Sequence, residues 1–357
     1  MPLSLSDPPA GDPPAAEALR AAETPRAAPR AAPRVAFLLN PAAGNGAAAR
    51  RRPALAAAIR AAGLDAEIHV SASADDVEPL ARRLAGTADA VVAVGGDGTI
   101  HGVANALAGT ATLFGALPLG TGNDFARALG MPSRLDAGVR ALADALAAGS
   151  VRTLDAAVAT WDDAGGVRRC VVTNAVGAGF DAAAAADAGR YKAIGGRAAY
   201  LVAVVRGLWA WRQPGVEVEV SVSDAAHGAD AAHGAEPAGE RVVFRGALFL
   251  VEVGNGQAVG GGFRLTPDAR LDDGLLDVCV VRHARPRRVL RILPIVFTGG
   301  HVRFPEVGMH RAASVTVRAT RGTLPVHADG EAASAAATVL RVAVWPGALR
   351  VLVPVTP

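Results

Sequence analysis

The stretch VVAVGGDGTIHGVANAL, residues 91–107, runs a β-prone apolar segment into three glycines, an aspartate and a threonine. At the C-terminal end of a parallel strand, the backbone N–H groups of such a turn suit phosphate oxygens, helped by the positive end of the following helix. Gly95, Gly96 and Gly98 let the chain approach those oxygens without a Cβ, and Thr99 offers a hydroxyl. Asp97 stands apart, because a bare carboxylate repels phosphate; its chemistry is to hold a cation or accept a proton. A second loop, LPLGTGNDFARALG at 117–130, sets Gly120, Thr121, Gly122 and Asn123 after another strand, with Asp124 as the cap of the next helix. A third, NPAAGNG, follows the apolar run that ends at Asn40. Two common nucleotide fingerprints are missing. No G-x-x-x-x-G-K-[ST] loop occurs, and His101 stands where a dinucleotide loop counted from Gly96 would have its third glycine. Ordinary hydride-transfer enzymes are therefore disfavoured, and no persuasive serine or cysteine triad is visible.

The elements that must hold these loops alternate. VAFLLN, EIHVSAS, VVAV and FGALPLG read as strands, separated by helical patterns at about 47–62, 75–85 and 100–108 and followed by NDFARALG. This order predicts a doubly wound parallel sheet, whose C-terminal edge would carry the three loops side by side. After about Gly149 the pattern becomes β-rich, with Gly, Asp and Pro turns, and predicts an antiparallel β-sandwich with helical interludes near 183–211 and 286–299. The expected organisation is an Ala/Pro-rich disordered tail at 1–33, an α/β domain at 34–150 and an all-β domain at 151–340. A final strand lies within 341–357, and whether it returns to the first domain is undecided.

Composition narrows the classes. Apolar residues at 51% against 19% charged predict a globular chain long enough for two cores. A net charge of +3 is too small to argue for nucleic acid. The pI near 9.3 would suit an anionic membrane surface, although a mixed solvated surface fits the charge better. Cys170 and Cys279 lie in apolar β-rich runs and read as buried thiols in a reducing cytosol. No signal peptide or spanning apolar run is visible, so the expectation is a cytoplasmic protein. AAHGADAAHGAE, 225–236, reads as a low-complexity surface loop rather than a metal site.

NPAAGNG, VVAVGGDGTI and LPLGTGNDFA, in this order and spacing, resemble the catalytic domain of the diacylglycerol kinase and sphingosine kinase superfamily, in its soluble bacterial lipid-kinase branch. The resemblance continues through NAVGAGFDA, LTPDARLDDGLLDV and HADGE and covers about residues 34–354. It implies an ATP-dependent lipid kinase, with ATP contacts from Asn40, Ser71, Gly96 to Thr99 and Thr121. It implies a structural Mg²⁺ held by the Asp273 carboxylate and the carbonyls of Arg270 and Leu275, where the residues alone suggest a hairpin turn at Asp273-Gly274. It also implies Glu331 as the general base toward a lipid hydroxyl, with Asp97 organising ATP-bound Mg²⁺; Asp97 is the alternative base. One departure stands out: His101 and Gly102 occupy positions where the family commonly has asparagine and glutamate. A catalytically weakened regulator and an NAD-kinase-like soluble kinase are the alternatives. The expected partners are a lipid alcohol and a membrane surface, the latter because YLVAVVRGLWAWR and VLRILPIVF combine apolar bulk with arginine. A homodimer is one option that the sequence leaves open.

Overall fold

The computed structural model describes residues 33–188, 196–210, 217–223, 241–282 and 285–355. The expected tail up to residue 32 and the loop at 225–236 lie outside the described residues. Contacts divide the chain into two compact units: one holds the described residues up to Leu154 and from Gly347 onward, the other those from Asp155 to Pro346.

The first unit is built from β1 (Val35–Leu39), α1 (Ala47–Ala61), β2 (Ala66–Val70), α2 (Val77–Ala85), β3 (Ala90–Gly95), α3 (Asp97–Leu107), β4 (Leu113–Pro118), α4 (Asp124–Ala128) and α5 (Leu135–Ala148). β1 and β3 are buried at every position, as expected of apolar strands covered on both faces. All four strands pair in parallel, in the order β2-β1-β3-β4. Chain order reverses between β1 and β3, and the crevice beyond the strand ends at such a switch point is where open α/β sheets bind ligands.

The second unit begins in β5 (Val151–Asp163) and continues through β6 (Gly166–Val172), β7 (Ala175–Gly179), α6 (Phe180–Ala188), α7 (Gly196–Ala210), β8 (Glu217–Ser223), β9 (Arg241–Gly254), β10 (Leu276–Arg282) and α8 (Pro286–Val296). It closes with β11 (Val307–Ala312), β12 (Ser314–Arg321), β13 (Leu324–Ala328), β14 (Glu331–Ala337) and the start of β15 (Val339–Leu352). Pairing is antiparallel: β9 with β7, β8 and β10, β7 with β13, β13 with β14, β8 with β12, and β12 with β15. Alternate residues such as Val251, Val253, Val278, Val315 and Leu340 point into one apolar core around Trp161.

The last strand answers a question that local pattern left open. Beyond Gly347, β15 pairs in parallel with β4 at Val351–Phe114, adding a fifth parallel strand to the first unit's sheet. Ala348, Leu349, Val351 and Leu352 are all buried there. Leu352→Ala is therefore expected to cost about 2–5 kcal/mol in urea-induced unfolding, as for other buried leucines.

Candidate active site

The glycine-rich turns after β1, β3 and β4 converge within the first unit. The Asn40 N–H donates to the Val94 carbonyl at 3.2 Å, and Asn40 Nδ2 donates to Thr99 Oγ1 at 3.1 Å. Gly44 adopts φ +60°, and a Cβ there would lie 2.7 Å from the Leu119 carbonyl oxygen. The N–H groups of Leu119 and Gly120 both donate to the Gly95 carbonyl, at 2.7 and 3.1 Å. Gly120 then crosses Gly96 so closely that a Cβ on it would sit 2.3 Å from the Gly96 Cα. Such a crossing is open only to residues without a side chain.

Asp97 ties the second and third turns together. Its Oδ2 accepts the Asn123 N–H and its Oδ1 the Asp124 N–H, both at 2.7 Å. Asn123 holds its own loop in shape: at φ +55° it accepts the Gly120 N–H at 3.0 Å and donates to the Gly120 carbonyl at 2.8 Å. Gly98, in the first turn of α3, and Thr121, in the turn after β4, are exposed. Ser71, just after β2, is buried, with its hydroxyl oxygen lacking any hydrogen-bond partner. An orphaned buried hydroxyl beside the sheet's ligand edge fits a polar guest.

Two local expectations are revised, and one departure gains a packing reason. α3 begins at Asp97 rather than near Ile100, so the phosphate-type turn is shorter and Asp97 already belongs to the helix. Asp124 is the first residue of α4 rather than its cap; Asn123 occupies the cap position and Asp124 pairs with Arg127 at 2.9 Å. The Gly102 departure has a packing cause: a Cβ there would meet Val77 Cγ1 at 2.8 Å, where α3 packs on α2. A glutamate at this position would collide with α2, and the direction from Cα leads toward that helix.

Glu331, Asp273, Arg270 and Leu275 belong to the second unit. Asp329 and Gly330 form the two-residue turn between β13 and β14, with φ +48° and +83°, the signature of a type I′ hairpin. The Asp329 carboxylate is buried and accepts from the N–H groups of Thr173, Asn174 and Ala175 and the Thr173 hydroxyl, at 2.8–3.2 Å. Glu331, the first residue of β14, is exposed.

The segment 270–275 is a turn leading into β10, not a hairpin between paired strands. Asp273 Oδ1 accepts the Leu275 N–H at 3.2 Å, its other oxygen pairs with Arg311, and Asp155 accepts the Gly274 N–H at 2.7 Å. Asp277 beside them is buried, with one oxygen lacking a hydrogen bond. Burial holds its carboxyl above the usual range despite Arg311, with Asp273 and Asp268 adding repulsion. The Arg311 guanidinium pairs with both Asp273 and Asp277, placing one positive charge between the two carboxylates.

The sequence reading missed one group, the buried trio Asp181, Glu252 and His327. Its signal was a lone glutamate inside the apolar run LFLVEVG.

Residues 34–159 match the family model "Diacylglycerol kinase catalytic domain", and residues 174–353 match the "YegS C-terminal NAD kinase beta sandwich-like domain". A diacylglycerol kinase of Mycobacterium tuberculosis is 31% identical over 90% of this chain and 95% of its own length. The chain belongs to the diacylglycerol kinase family. A "Probable lipid kinase YegS-like" of Pseudomonas aeruginosa shares 34% identity over 84% of this chain and 89% of its own. The fold matches a diacylglycerol kinase crystal structure from Bacillus anthracis, with TM-score 0.66, 22% identity and coverage of 91% of this chain and 98% of that one. The chain is thus a lipid kinase by family, and its α/β and β-sandwich architecture is the one expected.

If Asp97 is the clamp between turns, Asp97→Ala should destabilise the first unit by about 1.5–3 kcal/mol for each hydrogen bond lost to a charged group, read in urea unfolding.

Proposed function

We propose that this chain transfers the γ-phosphate of ATP to the hydroxyl of a lipid alcohol, diacylglycerol-like or sphingoid-like, with Mg²⁺. The observation that carries the reading is the convergence of three glycine-rich turns at the ligand edge of a parallel sheet, in a chain of the diacylglycerol kinase family. In this reading the turns from Asn40, Gly95–Thr99 and Gly120–Asn123, with Ser71, hold the triphosphate. The acceptor hydroxyl needs only a base, because phosphoryl transfer depends mostly on positioning and charge neutralisation.

Glu331 is the better base. Both Asp97 oxygens already receive backbone N–H groups, which suits a fixed organiser of the turns. Mg²⁺ bound near Asp97 would neutralise phosphate charge, and a second ion held by Asp273 with the carbonyls of Arg270 and Leu275 would brace the turn before β10.

The lipid substrate calls for a membrane surface, and α7 and α8 supply a suitable one. No acidic residue occurs between Asp187 and Glu217 or between Asp277 and Glu306, yet both stretches are rich in arginine. Val289, Leu290 and Leu293 of α8 pack against an apolar cluster that includes Val204 and Leu208 of α7, while Arg287 and Arg291 remain exposed. Trp209 is 62% exposed and Phe297 42%. Basic side chains with an exposed tryptophan suit the interface of an anionic bilayer. Among the described residues no helix is long and apolar enough to cross a membrane; the proposal is a cytoplasmic, peripherally associated enzyme.

The test incubates the enzyme with labelled ATP, Mg²⁺ and a lipid extract. Label in the organic phase is expected; label only in a water-soluble acceptor, or ATP binding without transfer, would reject the reading. Glu331→Gln should abolish transfer while ATP affinity stays unchanged in calorimetry. Arg287→Glu with Arg291→Glu should weaken sedimentation with phosphatidylglycerol vesicles, and the remaining binding should depend less on salt.

A further inference from the structure

His327 on β13, Gly177 on β7, Glu252 on β9 and Cys279 on β10 are direct cross-strand partners in one row. Gly177 leaves a gap above its Cα. In that gap His327 Nε2 lies 3.1 Å from Asp181 Oδ2 and 3.2 Å from Glu252 Oε2, with Asp181 reaching in from the first turn of α6. A Cβ on Gly177 would lie 2.2, 2.4 and 2.5 Å from Asp181 Oδ2, Glu252 Oε2 and His327 Nε2. All three side chains are buried, so two carboxylates face each other away from water. Either a cation or a shared proton must relieve their repulsion.

The imidazole decides between these. Nε2 of His327 faces both carboxylates while the Gly330 N–H approaches Nδ1 at 3.3 Å; burial pushes the imidazole down, but Glu252 and Asp181 raise it well above its usual range, so Nε2 carries a proton. A protonated Nε2 donates to the carboxylates and has no lone pair for a metal. The negative charge then rests on Asp181, whose Oδ1 accepts the Ala182 N–H at 2.8 Å at the positive end of α6. Burial by itself would push Asp181 up, but hydrogen bonds from His327 and Glu252 hold it below its usual range. Glu252 goes the other way: burial pushes its carboxyl up to about 8, so it keeps a proton at neutral pH.

We propose that Asp181, Glu252 and His327 form a proton-sharing triad that positions the His327–Glu331 turn, with His327 as the positioning residue for Glu331. The proposal rests on the reading of Glu331 as the base. The turn is pinned twice: Asp329 to the backbone at 173–175, and His327 to α6 and β9, while Gly330 joins the two through Nδ1. Glu331 pairs with Ala328 directly across this turn, so its place follows from the pins.

The groups facing Glu252 are Asp181 from α6, His327 from β13 and the Cys279 thiol from β10, itself pushed up by burial and by both carboxylates. The His301 ring lies 3.8 Å beyond that thiol and donates through Nε2 to the Leu265 carbonyl at 3.1 Å. Because the Glu252 proton is held more tightly in the folded chain than in the unfolded one, Glu252 contributes stability that is full below the usual carboxylate range. This contribution is lost progressively as pH rises toward about 8.

Two readouts test the triad. First, melting temperature is followed from pH 5 to 8.5, with and without added Mn²⁺ or Zn²⁺. The wild-type value should fall with rising pH, and Glu252→Gln should flatten that fall. An unchanged slope in Glu252→Gln, or a metal-induced rise that this variant abolishes, would overturn the proposal. Second, initial rates are measured with saturating lipid extract and varied ATP. His327→Ala should lower kcat by about 10²-fold, the scale of a misplaced catalytic group, with KM for ATP unchanged. His327→Gln, which restores a donor to the carboxylates, should recover part of the loss, and Glu252→Gln should move the alkaline fall in kcat upward. A folded His327→Ala variant with wild-type kcat would overturn the positioning role. Full turnover in Glu331→Gln would reject the base assignment alone, since the melting readout does not involve Glu331.

Discussion

Backbone can lie against backbone only where neither chain carries a Cβ, and the first unit depends on one such contact, Gly96 against Gly120. Bringing two strand ends this close leaves their peptide dipoles crowded and several N–H groups without helical or sheet partners. The Asp97 carboxylate resolves both problems by accepting two N–H groups from the neighbouring turn. Asn40 and Gly44 draw the first turn into the same knot. The result joins three glycine-rich turns and their small polar side chains at the end of a buried sheet.

The second unit uses buried carboxylates for a different purpose. Asp329 organises the backbone at 173–175, Asp155 braces the turn before β10, and Asp181 with Glu252 grips His327. Each sits where an apolar residue would leave orphaned donors. Buried acids that accept several hydrogen bonds, as Asp329 does, hold a turn in a single geometry, because every alternative leaves an unpaired charge in a low-dielectric interior. The cost is sensitivity to protonation, which is why Glu252 retains its proton.

Local chemistry explains how far the sequence could be read. Apolar runs bounded by glycine and aspartate marked β1, β3 and β4, because strands buried on both faces need no alternation. Asp329-Gly330 was legible as a turn since few other residue pairs adopt two successive left-handed conformations. The helix start at Asp97, the place of Asn123 before α4 and the packing reason for Gly102 were not legible, because each depends on a partner from a distant segment: Gly120, Asp97 and Val77.

The sequence by itself determined the alternation of strands and helices up to β4, the β-rich second half, and where glycine-rich turns follow the strands; these follow from side-chain size, branching and backbone freedom over a few residues. Tertiary structure alone decided that β15 completes the parallel sheet, that Asp97 locks two turns together, and that Asp181, Glu252 and His327 meet over Gly177. Strand pairing and side-chain encounter join residues far apart in the chain. Their energies come from register and burial, which no local pattern encodes.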